Sequence, residues 1–449
     1  MARIPRKVRD VLDRCEQEFA PSVWNRFCAM LLVAILLRGR RTILRIYDLA
    51  ERLVPGHFSS LHRVFSHRRW RASALARALA RALVDHFAPT GVLEIVGDDT
   101  VSQHRGEGVY GKACHRDAVR SAHGHLVHRW GHKWVVLALR VRVPGTVRSW
   151  ALPVLVALYR TPELNAKEGR RHKTPADLMQ GLLALWMRWF PERKSVFAGD
   201  GAYGTHKLAR FADRHRSRLC LISKFYTDAV LHELPPRRRK GQKGRNKVRG
   251  KRLPTPGQAI KSSKRWQQLV VSWYGGGQRH IEVFSRVGHW YRQGHGLVQV
   301  RWVYVRDLSG RHRDECLMST DETLSLREIV ESFVGRWDIE VMYEEMREHL
   351  GLERNRGRCK QTVLRVEPCL FGLYSLIALW FACLPGDPLN RIVVTWPGKK
   401  SITFSDAIAT VRREAWAIYI NQTTILGPVV EKLDRRQRQS LIDMLALAA

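Results

Sequence analysis

Carboxylates stand at three places in this 449-residue sequence where they could act together. The apolar run "GVLEIVGDD" (91–99) ends in Asp98 and Asp99, and "KSVFAGD" (194–200) ends in Asp200. The third place is "SLREIVESFVGRWDIEVMYEEMREHLGLE" (325–353), where Phe333, Arg336, Glu340 and Arg347 follow one another at steps of 3, 4 and 7. In a helix those steps put all four on one face. A glutamate between two arginines on an inward stripe is not what a plain amphipathic helix needs. Singly, each acid reads as a surface or capping residue. Together they describe oxygen donors suited to hard divalent cations, beside arginines able to grip phosphate by charge-assisted hydrogen bonds. Phosphodiester cleavage needs an activated water and a stabilised leaving oxygen, and two Mg²⁺ ions ~3.5–4 Å apart supply both.

Such a site needs a scaffold that brings distant acids together. After residue 90 the pattern turns strand-like: 91–99, "HKWVVLALRVRV" (132–143) and "SWALPVLVALY" (149–159). The stretch "TPADLMQGLLALWMRWF" reads as a helix with Thr174 as N-cap, Pro175 in the first turn and Asp177 at the third position. Strands at 194–200 and 218–225 enclose a further helix, "THKLARFADRHR". The order βββ-α-β-α-β is that of an RNase H-like sheet and not of a doubly wound Rossmann sheet. In it the first and fourth strands lie side by side, so their terminal acids meet. Asp98 and Asp99 point to opposite faces by strand alternation; alternation does not say which of them meets Asp200, so either can be the first acid.

The expected fold is mixed α/β, an RNase H-like core with an inserted all-β subdomain and helical regions at both ends. Residues 1–90 read as a basic helical, DNA-binding domain, with 17 Lys/Arg against 7 Asp/Glu. Residues 91–225 form the first part of the core and 323–385 the second, with the helix that carries Glu340. Between them, 226–322 hold a basic loop and the inserted strands. Residues 386–449 form a smaller tail for dimerisation or DNA contact. The loop "RRRKGQKGRNKVRGKR" (237–252) has ten Lys/Arg and no acid, too polar to build a core; Arg237, Arg238, Arg239 and Lys240 open it and are expected on DNA. Within the insertion, Trp290 in "GHWYRQG" reads as a hairpin-tip aromatic with a free ring.

Composition narrows the class. With 77 Lys+Arg against 41 Asp+Glu the chain carries +36, which calls for a polyanionic partner. Its 15 Trp and 45% apolar content speak for a large folded protein acting on nucleic acid and against a small packing protein. Eight scattered Cys without a CxxC pair argue against a zinc ribbon and a disulfide scaffold. No GxGxxG or Walker A loop supports a nucleotide cofactor. The histidines at 104, 115, 123, 125, 128 and 132 lack metal-ligand spacing and are expected near phosphate at the surface. The uncharged run 368–386 is interrupted by Pro and Gly and falls short of the ~20 residues of a bilayer span, so a core helix, no membrane and a cytoplasmic, nucleoid-associated protein are expected.

The blocks "GDDT", "GDGAYG" and "FVGRWDIEVMYEEMR" resemble the three active-site blocks of bacterial insertion-sequence transposases of the DDE superfamily. The resemblance is to the group with a β-strand insertion and a Y-(2)-R-(3)-E-(6)-K signature, and it covers about residues 91–385. It implies Asp99, Asp200 and Glu340 as catalytic metal ligands for two Mg²⁺ (Mn²⁺ substituting), and Arg336 and Arg347 on scissile-strand phosphates. Arg347 stands at the lysine position, and Phe333 replaces the tyrosine, keeping the ring without the hydroxyl. It also implies an endonuclease and strand transferase on double-stranded DNA, the element's terminal repeats and a target, acting as a homodimer in the synaptic complex. The rival readings are a domesticated DNA-binding protein without catalysis and an RNase H-like nuclease without strand transfer.

Overall fold

The computed structural model describes residues 4–117, 121, 124–237, 244–392, 397–422, 430 and 432–447. The chain opens with five helices: α1 (Arg6–Glu16), α2 (Pro21–Leu36), α3 (Ile43–Ala50), α4 (Ser59–Ser66) and α5 (Ala72–Phe87). Strands β1 (Leu93–Gln103), β2 (Ala113–Arg116), β3 (His128–Val141) and β4 (Trp150–Tyr159) follow. Helices α6 (Pro162–Lys167) and α7 (Pro175–Trp189) lead to β5 (Ser195–Gly199), α8 (His206–Arg214) and β6 (Leu219–Lys224). In α7, Thr174 and Asp177 close a reciprocal capping box, which satisfies two N-terminal donors locally.

These strands build the core. β1 pairs antiparallel with β3 and β3 with β4, while β1–β5 and β5–β6 are parallel, so the spatial order is β4-β3-β1-β5-β6. Parallel neighbours need crossovers, and α7 and α8 supply them. The mixed sheet does not stop at β6. After β7 (Leu231–His232) and a short helix, α9 (Pro256–Lys261), come β8 (Gln267–Ser272), β9 (Gln278–Arg292), β10 (Gly296–Asp307) and β11 (Glu315–Ser319). β11 joins β6 through Leu317↔Lys224, Met318↔Ser223 and Ser319↔Ile222, so the strands of the 226–322 stretch extend the core sheet to eleven described strands.

The chain returns to helix at α10 (Leu326–Gly335), opened by the Ser325/Glu328 capping box, then α11 (Asp338–Glu345) and the long α12 (Lys360–Ala382). Two further helices, Phe404–Gln422 and Arg435–Leu447, close it. Strand alternation sorts the layers. A Cβ on Gly97 would meet Met179 of α7 at 2.5 Å, so odd-numbered positions of β1 face α7. Even ones face α11 and α12, as the Ser102–Glu367 hydrogen bond shows. α12 is long and apolar enough to cross a membrane by length and composition. In this structure it buries Phe371, Leu373, Tyr374 and Ile377 through Phe381 in the protein core, and Ser375 Oγ bonds the carbonyl of Pro153 in β4.

Candidate active site

The sheet register sets the acids. Gly97 pairs with Gly199 across the parallel β1–β5 ladder, and the next residue of each strand is an aspartate. Asp98 and Asp200 therefore lie side by side on one face. Arg336 comes to them from the junction of α10 and α11. Hydrogen bonds from the amides of Arg336, Trp337, Ile339 and Glu340 to the carbonyls three residues earlier tighten this junction, so the 325–353 stretch is not one uniform helix. Gly335 permits the close approach, since a Cβ there would meet Arg140 Cζ at 2.2 Å. Arg336 Nη1 donates to Asp98 Oδ2 at 3.1 Å and to Glu340 Oε1 at 2.8 Å. Asp98 Oδ1 accepts the Asp99 amide at 2.8 Å, and Tyr343 Oη donates to the Asp98 carbonyl at 3.2 Å.

The site is electrostatically strained. Burial pushes the Asp98 carboxyl up to about 8; Arg336 opposes this, and the carboxylates of Asp200 and Asp99 add to it. Burial also raises Glu340, against Arg336 and with Asp200 adding to the rise. Crowded like charges of this kind are what a bound cation relieves. As arranged, no three His, Cys, Asp or Glu side chains among the described residues are gathered closely enough to hold a metal ion. Arg336 sits between two of the acids, paired with Asp98 Oδ2 and Glu340 Oε1. The donor set nonetheless fits a hard divalent cation, being all carboxylate oxygen, and a move of the Arg336 side chain frees two of its members.

Asp99, the expected first acid, is placed differently. It faces α7, pairs with Lys133 Nζ at 2.8 Å and lies 3.5 Å from the Tyr203 hydroxyl. The register puts Asp98, not Asp99, on the face of Arg336 and Glu340. Arg347 reaches the same face of β1 as Arg336, two residues further along the strand, and is paired there. From the π-type turn at Met346–Leu350 it donates to Thr100 Oγ1 (2.7 Å) and Glu353 Oε1 (2.8 Å). Phe333 is buried in the core with Lys224 and Arg336 over its ring, so its ring is not available to DNA.

Trp290 also requires correction. It is not at a hairpin tip, because β9 continues to Arg292 and Trp290 pairs with Val298 of β10; the tip lies at Gly294 and Gly296, both with positive φ. The indole is 9% exposed, edge-on to Phe225 and His206. Arg237 is exposed; Arg238, Arg239 and Lys240 lie outside the described residues. His104, His115 and His132 are buried instead of surface-placed. Sequence reasoning missed Tyr343, Lys133 and Tyr203; the two tyrosines stand three residues after Glu340 and Asp200, but the residues they touch, Asp98 and Asp99, are far off in the chain.

Fold and site together define a mixed α/β protein with an acidic cluster at the centre of a large sheet. The chain belongs to the DDE superfamily endonuclease family, which it matches over residues 18–280. That span includes Asp98, Asp99 and Asp200 and ends before Arg336 and Glu340. In solved structures it is similar to a piggyBac transposase synaptic complex with hairpin DNA determined by cryo-EM, at 8% identity, over 98% of this chain and 81% of that one, with a TM-score of 0.42. That likeness is too distant to carry a function across. No curated protein sequence matches the chain.

Proposed function

We propose that this endonuclease-family chain is a DNA transposase. It cleaves the ends of its own insertion element and joins the freed 3′-hydroxyls to target DNA, within an RNase H-like core of the insertion-bearing bacterial group. One observation carries the reading: the Gly97↔Gly199 register sets Asp98 of β1 beside Asp200, and Arg336 ties Asp98 to Glu340 of α11 by hydrogen bonds. Asp98, Asp200 and Glu340 would hold two Mg²⁺ ions, with Mn²⁺ as a substitute. The ions supply Lewis-acid polarisation of phosphate and a more acidic bound water. Arg336 is the group that must shift, and its guanidinium then has a phosphate to grip. Tyr343 fixes the Asp98 backbone, and Arg347 braces the same strand at Thr100. Asp99, neutralised by Lys133, is a positioning residue. The basic residues 1–90 and 237–252 add phosphate contacts, the tail 386–449 serves dimer or DNA contact, and the working form is a homodimer on DNA in the nucleoid.

The test is a supercoiled plasmid carrying the genomic segment that encodes the chain with its flanks. In Mg²⁺, the wild type nicks at the element ends, and a chelator stops it. Asp98→Asn, Asp200→Asn and Glu340→Gln each abolish nicking while DNA binding persists, and Asp99→Asn retains it. Nicking by Asp98→Asn alongside inactivity of Asp99→Asn would restore Asp99 as the first acid. A pre-cut end gives joined product; cleavage without joining would mean a nuclease without strand transfer, and binding without cleavage a non-catalytic DNA-binding protein.

A further inference from the structure

Beyond Asp98, strand β1 runs five residues to Gln103, about 17 Å at ~3.4 Å per residue. There it meets a surface that the acidic site does not use. The segment "RNRGRCK" (354–360) carries four Lys/Arg and no acid, and Arg354, Arg356, Arg358 and Lys360 are all exposed. It is not a loose run. Glu353, the one non-glycine with positive φ among the described residues (78°), is held by Arg347 and Arg129. The Arg358 carbonyl accepts the Tyr110 amide at 2.9 Å, and Lys360 Nζ sits 5.7 Å from the Tyr110 ring centroid.

Near this segment, at the start of β3, Trp130 is 58% exposed. Lys112 Nζ lies 5.5 Å from its ring centroid, and the Trp130 carbonyl accepts the His104 amide at 3.0 Å. Leaving an indole in water forgoes the burial that large aromatics ordinarily provide. Lys112 is half-buried and its ammonium also donates to the Gly106 carbonyl; an exposed tryptophan beside it and a run of exposed cations is the composition of a nucleic-acid contact, in which cations take phosphates and the ring lies against sugar or base. Of the nearby acids, Glu353 and Glu168 are paired with arginines, and the exposed Glu107 stands against the four cations of 354–360, so the net charge here is positive. Duplex DNA advances ~3.4 Å per base pair along each strand, which makes 17 Å about five base pairs.

We propose that Lys112, Trp130, Arg356, Arg358 and Lys360 form a DNA-docking surface that seats the duplex about five base pairs from the acidic site of Asp98, Asp200 and Glu340. The proposal rests on the nucleic-acid reading above and is tested apart from cleavage. The full chain is titrated with a labelled 30-base-pair duplex between 50 and 200 mM salt. Each phosphate contact contributes about −0.9 to the slope of log K against log salt, so Arg356→Ala/Arg358→Ala/Lys360→Ala shallows it by about 2.7. The wild type then loses about 40-fold more affinity than the variant across that range. Arg356→Lys/Arg358→Lys keeps the wild-type slope. Trp130→Ala weakens binding about tenfold with the slope unchanged, and Trp130→Phe recovers most of it. Unaltered thermal melting confirms folding of these surface variants. If the triple variant shares the wild-type slope, or changes only self-association, the surface assignment is overturned. If the wild type shows no salt-dependent DNA binding at all, the nucleic-acid reading itself fails.

Discussion

Glu367 on α12 offers a sharp test of how this fold handles buried charge. It is 1% exposed; Ser102 Oγ of β1 donates to its Oε1 at 2.5 Å, and His132 Nδ1 of β3 lies 3.9 Å from Oε2. Burial pushes its carboxyl from 4.5 up to about 7. The folded protein therefore binds one proton more than the unfolded chain between those values, and stability falls as pH rises through the window. At 1.36 kcal/mol per unit, the shift from 4.5 to 7 amounts to about 3 kcal/mol. His132 and His115 work in the opposite sense: burial lowers both to about 4, so the unfolded chain binds their protons first and stability rises from pH 4 to 6.5. The wild type mixes the two effects. Glu367→Gln keeps the shape and the Ser102 contact but removes the titrating carboxyl. In urea unfolding at pH 4.5, 5.5, 6.5 and 7.5, the variant should gain on the wild type progressively, by about 3 kcal/mol over the series. A difference that stays constant with pH would show that Glu367 is ionised throughout and that the reasoning is wrong.

Three further outcomes follow from packing and charge. Trp290→Ala should cost about 3–5 kcal/mol of stability, read by urea unfolding, because its indole is enclosed by Phe225, Tyr226 and His206; a loss below 1 kcal/mol would mean the ring is free. Gly131→Ala should destabilise by about 1–3 kcal/mol, since a Cβ there would meet the Ser102 carbonyl oxygen at 2.1 Å and force β1 from β3; an unchanged melting temperature would contradict the register. Deleting residues 237–252 should shallow the salt dependence of DNA binding by about 0.9 for every phosphate the loop neutralises, and an unchanged slope would place this loop off the DNA.

Local signals in the sequence were legible because their partners are three or four residues away. The Thr174/Asp177 and Ser325/Glu328 boxes close within one turn, and the apolar runs of β1, β3, β4, β5 and β6 stand where the sequence places strands. The meeting of a β1 acid with Asp200 was legible too, because a parallel crossover puts the two strand ends together. Which β1 acid takes part was not. Alternation sends Asp98 and Asp99 apart, and only the Gly97↔Gly199 register and the packing of α7 and α11 say which face is which. The same holds for the pairing of Arg347, which does lie on the face of Arg336 but whose guanidinium is taken by Thr100 and Glu353. Trp290 looked free because its burial comes from α8 and the end of β6, far away in sequence. Glu367, Ser102 and His132 give no local sign of one another, being more than 200 residues apart or on different strands. Residue types and short spacings thus carry the chemistry this chain can do and the elements that bear it. Facing, burial and charge pairing are decided by contacts between elements, and those exist only once the sheet has closed on its helices.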